Sequence, residues 1–272
     1  MILYPPAKIN LGLNILRKRE DAYHDIDTCM VEIPFTDILE VTKADSFKFL
    51  QTGITIGGAG GSNLCEKAYD LLKNEFNIGP VRIHLRKQIP VGAGLGGGSA
   101  DATYTLLALN ELFHLELSHQ KLKQLASQLG SDCPFFVEGL PQIAQGRGEI
   151  LSPVELDLNN VFLVLLNPGI HVGTKEAYDG VSVSEDVIAV EEIIQKPLGQ
   201  WRALLKNDFE SSVFQLFPQI QQLKDSLYQA GAVYAAMSGS GSSVYGLFLD
   251  ESLALTFKST HLIYIGKFIN PS

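Results

Sequence analysis

The sequence predicts an α+β fold in two parts, and three observations carry that expectation. Stretches of alternating apolar and polar residues, which read as half-buried strands, are interleaved with capped amphipathic helices. The order of these elements does not follow strand, helix, strand, helix, so layered α+β units are expected rather than a doubly wound parallel sheet. The chain has 272 residues, of which 46% are hydrophobic, enough for two cores. A boundary is expected near residues 150 to 160, giving parts at 1–152 and 153–272.

The first element is PAKINLGLNI, in which Ala7, Ile9, Leu11, Leu13 and Ile15 share one face and Lys8, Asn10, Gly12 and Asn14 the other. YHDIDTCMVEI and DILEVTKA supply two further strands. After GGAGGSN, Leu64, Ala68, Leu71 and Leu72 space as an amphipathic helix, with Ser62 or Asn63 as its cap. VRIHLRKQI (81–89) alternates again, with Arg82, His84, Arg86 and Gln88 on its polar side. An apolar helix follows the glycine-rich loop after it. A shorter helix runs from about Ser118 to Leu129, capped by Ser118 and stopped by Gly130. GSDCPFF is a turn and VFLVLLNPG a buried strand. SVSEDVIAVEEIIQKPLG is a loop or connecting helix, and FPQIQQLKDSLYQAG a helix. AVYAAM and VYGLFL are two strands joined by the glycine turn SGSGSS.

Composition narrows the function. With 21 basic and 30 acidic residues the formal charge is −9, which argues against a nucleic-acid partner. An anionic small substrate stays compatible, because helix ends hold phosphate inside an acidic protein. Cys29, Cys65 and Cys133 are widely spaced and form no C-x-x-C pair, so reduced thiols and a cytoplasmic location are expected, without a metal knuckle. MILYPPAKIN lacks the basic start and apolar stretch of a signal peptide, and no apolar run is long enough to span a bilayer. No membrane partner is expected.

Five of the ten residues from Ile89 to Gly98 are glycine. Gly92-Ala93-Gly94-Leu95-Gly96-Gly97 matches G-x-G-x-x-G, a weak signal alone. A dinucleotide fold requires a preceding strand buried on both faces, and VRIHLRKQI has a polar face. The P-loop pattern fails because no G-K-[ST] follows. Two readings remain: a turn that packs a helix close to a sheet, or a cradle of backbone amides for phosphate at a helix N-terminus. Other residues stay similarly open on sequence alone. Lys8 is a solvated lysine at a sheet edge or a site cation. Asp132 is a turn or cap residue or a catalytic carboxylate. His24 is a loop histidine or a ligand-pairing ring.

Three motifs in order reduce these alternatives. PAKINLGLNI near the start, IPVGAGLGGGSADA in the middle and MSGSGSSVYGLF near the end together resemble the GHMP kinases, the family of galactokinase, homoserine kinase and mevalonate kinase. The likeness runs over essentially the whole chain and is strongest before residue 150. It implies a two-domain fold, with an N-terminal α+β ATP-binding domain and a ferredoxin-like C-terminal domain. PAKINLGLNILRKREDAYHDIDT, GSDCPFF and GRGEIL are most similar to family members that phosphorylate a cytidine-diphosphate alcohol in bacterial isoprenoid synthesis.

The resemblance implies roles residue by residue. Lys8 and Asp132 become the catalytic pair. Asp132 takes the hydroxyl proton, while Lys8 keeps the carboxylate ionised and steadies the developing alkoxide. Pro90, Val91, Gly92, Ala93, Gly94, Leu95, Gly96, Gly97, Gly98, Ser99 and Ala100 form the ATP loop, with Asn63, Leu64 and Asn110 lining the adenine pocket. Asn10, Tyr23, His24, Thr174, Tyr178, Gly239 and Ser240 bind the acceptor, Tyr23 and His24 as a cytidine clamp and Tyr178 as a second aromatic wall. Asp208, in NDFE, reads as a helix cap. The implied cofactors are ATP and Mg²⁺. No protein metal ligand stands out, although Ser99 can offer a hydroxyl. Ala100 departs from the family pattern, which has a second serine there.

Overall fold

The computed structural model describes residues 1–21, 23–54, 63–181 and 187–268, and the side chains of Thr174, Lys175 and Asp179 lie outside that description. The chain forms two compact units. One gathers residues 1–7, 35–91 and 96–139, and the other 8–34, 92–95 and 140–272.

The first unit is a four-stranded sheet with helices packed on it. The strands lie in the order Ile2–Leu3, Ile38–Lys43, Val81–Lys87 and Lys48–Gly53. Only the Lys48–Gly53 and Val81–Lys87 pair is parallel, as an α+β unit requires. Along Val81–Lys87 the residues Val81, Ile83 and Leu85 are buried, whereas Arg82 and Arg86 are exposed. The sequence reading of a one-sided strand therefore holds. Three helices, Leu64–Phe76, Gly97–Leu112 and His119–Ser127, cover the buried face, and a 3-10 turn follows at Cys133–Val137. Of the two cap candidates Asn63 is the cap: its Oδ1 accepts from Cys65 N at 2.9 Å while Glu66 returns the bond to Asn63 N at 2.8 Å. Ser62 lies outside the described residues. Ser118 caps the third helix through Lys121 N.

The second unit contains two four-stranded sheets. In one, the order is Tyr234–Met237, Val244–Phe248, Phe162–Leu166, Leu262–Lys267, antiparallel throughout. Helices Pro218–Gln229 and Glu251–Thr256 make the crossovers, so the order of elements is βαββαβ, the ferredoxin-like topology. AVYAAM and VYGLFL pair as the expected hairpin, with Tyr234 opposite Leu247. The charged segment 182–199 contains the short helix Val190–Ile194 and the start of a second, Leu198–Leu204, and residues 182–186 lie outside the described residues. The other sheet is ordered Pro6–Lys18, His24–Thr36, Gln142–Gly146, Ile150–Pro153.

The Pro6–Lys18 strand departs from its sequence pattern. Alternation predicts one wet face, yet every residue from Pro6 to Ile15 is buried. Lys8 is 4% exposed and Asn10 3%. Lys8 does lie on an edge strand of its sheet, but other parts of the chain cover its face, so the solvated lysine of the sequence reading does not occur.

One buried carboxylate gives the fold a pH dependence. Glu32, on the His24–Thr36 strand, is pushed up to about 7 by burial, and its Oε1 has no hydrogen-bond partner. Because the folded state holds this proton more tightly than the unfolded chain, stability falls as pH rises from the ordinary carboxylate range to about 7. Glu32→Gln is expected to stabilise the protein at pH 8 by on the order of 2 kcal/mol, with little gain at pH 4.5. Urea unfolding at the two pH values measures this, and an equal gain at both would contradict the assignment.

Candidate active site

The three sequence motifs meet in the second unit through their main chains. Lys8 N donates to Leu95 O at 2.9 Å, which joins the first strand to the glycine loop. Asn10 N donates to Ser238 Oγ at 3.2 Å, and Ser238 Oγ donates to Gly94 O at 2.8 Å. Ser243 N donates to Ala93 O at 3.1 Å. Residues far apart in sequence thus share one hydrogen-bonded junction.

Close approach explains the glycine at 94. Its φ is +77°, and a Cβ there would lie 1.9 Å from Ser238 O. A side chain would be strained and would collide with fixed backbone.

Asn10 is the hub of the junction. Its Oδ1 accepts from the Lys8 ammonium, its Nδ2 donates to Thr28 Oγ1 at 3.1 Å, and its carbonyl accepts from Tyr245 Oη at 2.7 Å. A buried lysine requires such partners to remain charged. Gly239 sits against Asn10, with its Cβ position 3.2 Å from Asn10 Oδ1, and Ser240 is half-buried at the tip of the same turn.

Sequence reasoning missed the residue that fixes this second glycine turn. Asn207 Nδ2 donates to both Met237 O and Gly239 O at 2.8 Å, and its Oδ1 accepts from Phe209 N. Its neighbour Asp208 occupies the position before the Phe209–Leu216 helix, as expected of a cap, but makes no capping bond. Asp208 Oδ2 instead accepts from Ile15 N at 2.7 Å, tying the helix to the Lys8 strand. Two adjacent polar residues opening an apolar helix were the available signal, and the cap reading used it for the wrong bond.

The aromatic residues of the expected clamp are also in this unit. His24 and Tyr178 stack, with centroids 4.6 Å apart and planes 12° from parallel. A base held between two rings needs about 7 Å, twice a stacking contact of roughly 3.5 Å. The pair is therefore closed, and Tyr178 backs His24 instead of facing it across a gap. Phe209 meets Tyr178 edge-on. Burial and the nearby Lys18 charge lower the His24 pKa, which favours a neutral ring with one donor and one acceptor nitrogen. Tyr23 is 57% exposed, and Arg147 of the GRGEIL turn lies over its ring at 5.0 Å. Thr174 opens the Thr174–Asp179 helix, and its side chain lies outside the description.

In the first unit, Pro90 and Val91 lead from the sheet, and the Gly97–Leu112 helix begins with Gly96 as a left-handed cap that has no side-chain capping bond. Ala100 N donates to Gly96 O, so Gly97, Gly98 and Ser99 present amides without intrahelical acceptors. No acidic side chain occupies the first turn. This is the electrostatic arrangement of an anion site, with the positive helix end unopposed. Leu64 Cδ1 lies 3.8 Å from a Cβ position on Gly98, which puts the Asn63–Leu64 helix start beside the loop. Asn110 is elsewhere. Thirteen residues on from Gly97 along the helix, about 20 Å, its Oδ1 accepts from Leu117 N at 3.0 Å. It closes the helix end and is not beside the loop.

Asp132 is half-buried, opens the 3-10 turn and makes no capping bond. Thr103 Oγ1, in the first turns of the loop helix, donates to the adjacent Cys133 O at 2.8 Å. The turn carrying Asp132 is thereby fastened to the start of the loop helix. Among the described residues, no group of three or more His, Cys, Asp and Glu side chains is placed to hold a metal ion.

Comparison with known proteins places this geometry. Residues 63–139 match the GHMP kinases N terminal domain, and residues 189–259 match the GHMP kinases C terminal domain. The chain is 49% identical over 249 residues to the 4-diphosphocytidyl-2-C-methyl-D-erythritol kinase of Cytophaga hutchinsonii, spanning 91% of this chain and 92% of that one. A crystal structure of 4-(cytidine 5'-diphospho)-2C-methyl-D-erythritol kinase matches at 35% identity and a TM-score of 0.81, covering 94% of this chain and 92% of the other. A homoserine kinase structure from Cytophaga hutchinsonii matches at 17% identity and a TM-score of 0.62, over 92% and 87% of the two chains, a likeness of fold alone.

Gly94→Ala is expected to lower unfolding free energy by at least about 1–2 kcal/mol from the left-handed backbone alone, with more from the clash at Ser238. Chemical denaturation measures this, and a wild-type midpoint would contradict the close-approach argument.

Proposed function

The chain belongs to the GHMP kinases, and we propose from that premise that it transfers the γ-phosphoryl of ATP to the 2-hydroxyl of 4-diphosphocytidyl-2-C-methyl-D-erythritol, a step of the non-mevalonate route to isoprenoids. The observation that carries this reading is the 49% identity across nine-tenths of the chain to a kinase of that name. Homoserine and mevalonate are the alternative acceptors of the same fold, and the stacked His24–Tyr178 pair favours an acceptor with a nucleobase.

The residues divide the work. Amides at Gly97, Gly98 and Ser99, with the helix end behind them, bind the phosphates of ATP. Asn63 and Leu64 flank the adenine. The neutral His24 ring pairs through its edge with the cytosine, held flat by Tyr178, while Tyr23 supplies a stacking face. Asn10 and the Gly239–Ser240 turn bind the acceptor, joined by Thr174 at the start of its helix. Asp132 accepts the hydroxyl proton as the oxygen attacks, and the Lys8 ammonium stabilises the negative charge that grows there. Holding the acceptor oxygen in line with the γ-phosphorus supplies much of the remaining rate. A bound Mg²⁺ would neutralise phosphate charge, and Ser99 Oγ is the protein oxygen that would hold it.

Lys8→Ala and Asp132→Ala are each expected to reduce turnover by at least about 10²–10⁴ while the circular dichroism spectrum stays native. Near-normal turnover in either variant would end this mechanism. An acceptor panel with ATP tests the substrate, and a preference for mevalonate or homoserine over the cytidyl alcohol would refute the choice.

A further inference from the structure

A cluster of buried charges lies directly behind the start of the loop helix. Lys87 ends the Val81–Lys87 strand, with its side chain fully buried. Its ammonium pairs with Asp37 and with Asp101 Oδ2, the latter at 2.8 Å. Both carboxylates are buried as well. Asp37 Oδ1 also accepts from Gln88 N and, at 2.9 Å, from Ile89 N, the backbone that leads into the glycine loop. Asp101 belongs to the helix that the loop opens.

The packing leaves no slack. A Cβ on Gly97 would lie 2.8 Å from Lys87 Nζ and 2.7 Å from Ile89 Cγ2. The ammonium thus sits against the first helical residue, whose amide belongs to the anion cradle. The last strand residues, the Asp37 backbone segment and the helix start are fastened to one nitrogen atom.

We propose that Lys87, Asp37 and Asp101 are positioning residues that hold the Gly97–Ser99 amides in the geometry that binds the ATP phosphates. Stability alone is a weak reason for such a cluster, since apolar replacements of buried ion pairs are often neutral or stabilising. The charges also do not balance: two carboxylates share one cation, and Asp101 Oδ1 has no hydrogen-bond partner. Burial shifts the Asp101 pKa upward against the pull of Lys87. What the ion pairs add beyond packing is direction, fixing the strand end and helix start at hydrogen-bond distances.

This inference rests on the reading of the loop as the ATP site, and the experiment separates the two. The full-length protein is compared with Lys87→Met, the isosteric Asp101→Asn, and the triple variant Asp37→Asn/Lys87→Met/Asp101→Asn, which removes the cluster without stranding a charge. Melting temperature, kcat and the KM values for ATP and for the cytidyl alcohol are measured for each. The triple variant is expected to fold and to raise KM for ATP by about tenfold, because small misplacements of binding groups are costly. Its KM for the alcohol is expected to stay within about twofold. Asp101→Asn should show a smaller rise in the same direction. An unchanged KM for ATP in Asp101→Asn or in a folded triple variant, or equal rises in both KM values, would overturn the proposal. Absence of ATP turnover in the unmodified protein would refute the functional reading instead.

Discussion

The close approach of bare main chain to main chain is the constraint on which the rest of the second unit depends. Lys8 N, Ala93 O, Gly94 O and Leu95 O all take part in hydrogen bonds that join three distant segments. Such a junction tolerates no side chain at Gly94. It also buries a lysine almost completely, and Asn10 Oδ1 accepts from its ammonium. Glycine is used here for proximity as much as for flexibility.

Much of this was legible in the sequence because it follows from periodicity and turn chemistry. Alternation located Val81–Lys87, and the Asn63 and Ser118 caps marked helix starts. The ferredoxin-like sheet was expected from the family resemblance and not from periodicity, and the strand order agrees with it. Less legible were features that depend on what covers a face. The strand bearing Lys8 has an ordinary half-exposed pattern, and only the chain packed over it makes it fully buried. Lys87 did leave a trace. It falls in phase with Val81, Ile83 and Leu85, and a lysine on the apolar side of a strand requires buried partners. Asp37 and Asp101 are those partners, but sequence spacing does not bring them together.

Positive potential in this acidic chain is local, at a helix end whose first turn carries no acidic side chain and at the amides that open it. None of these alters the net charge of −9 very much. Local dipoles act over short range, so the rest of the surface is free to be acidic.

Cys133 adjoins Asp132, and its sulfur and the Ser99 hydroxyl both lie beside Gly130. A sulfur beside a nucleotide loop would ordinarily invite electrophilic inhibitors and peroxide. Burial pushes this one up to about 11, which disfavours the reactive thiolate at neutral pH. Maleimides and acrylamides aimed at the neighbourhood of the loop would meet a buried sulfur in its less reactive form, so reversible ligands are the better route.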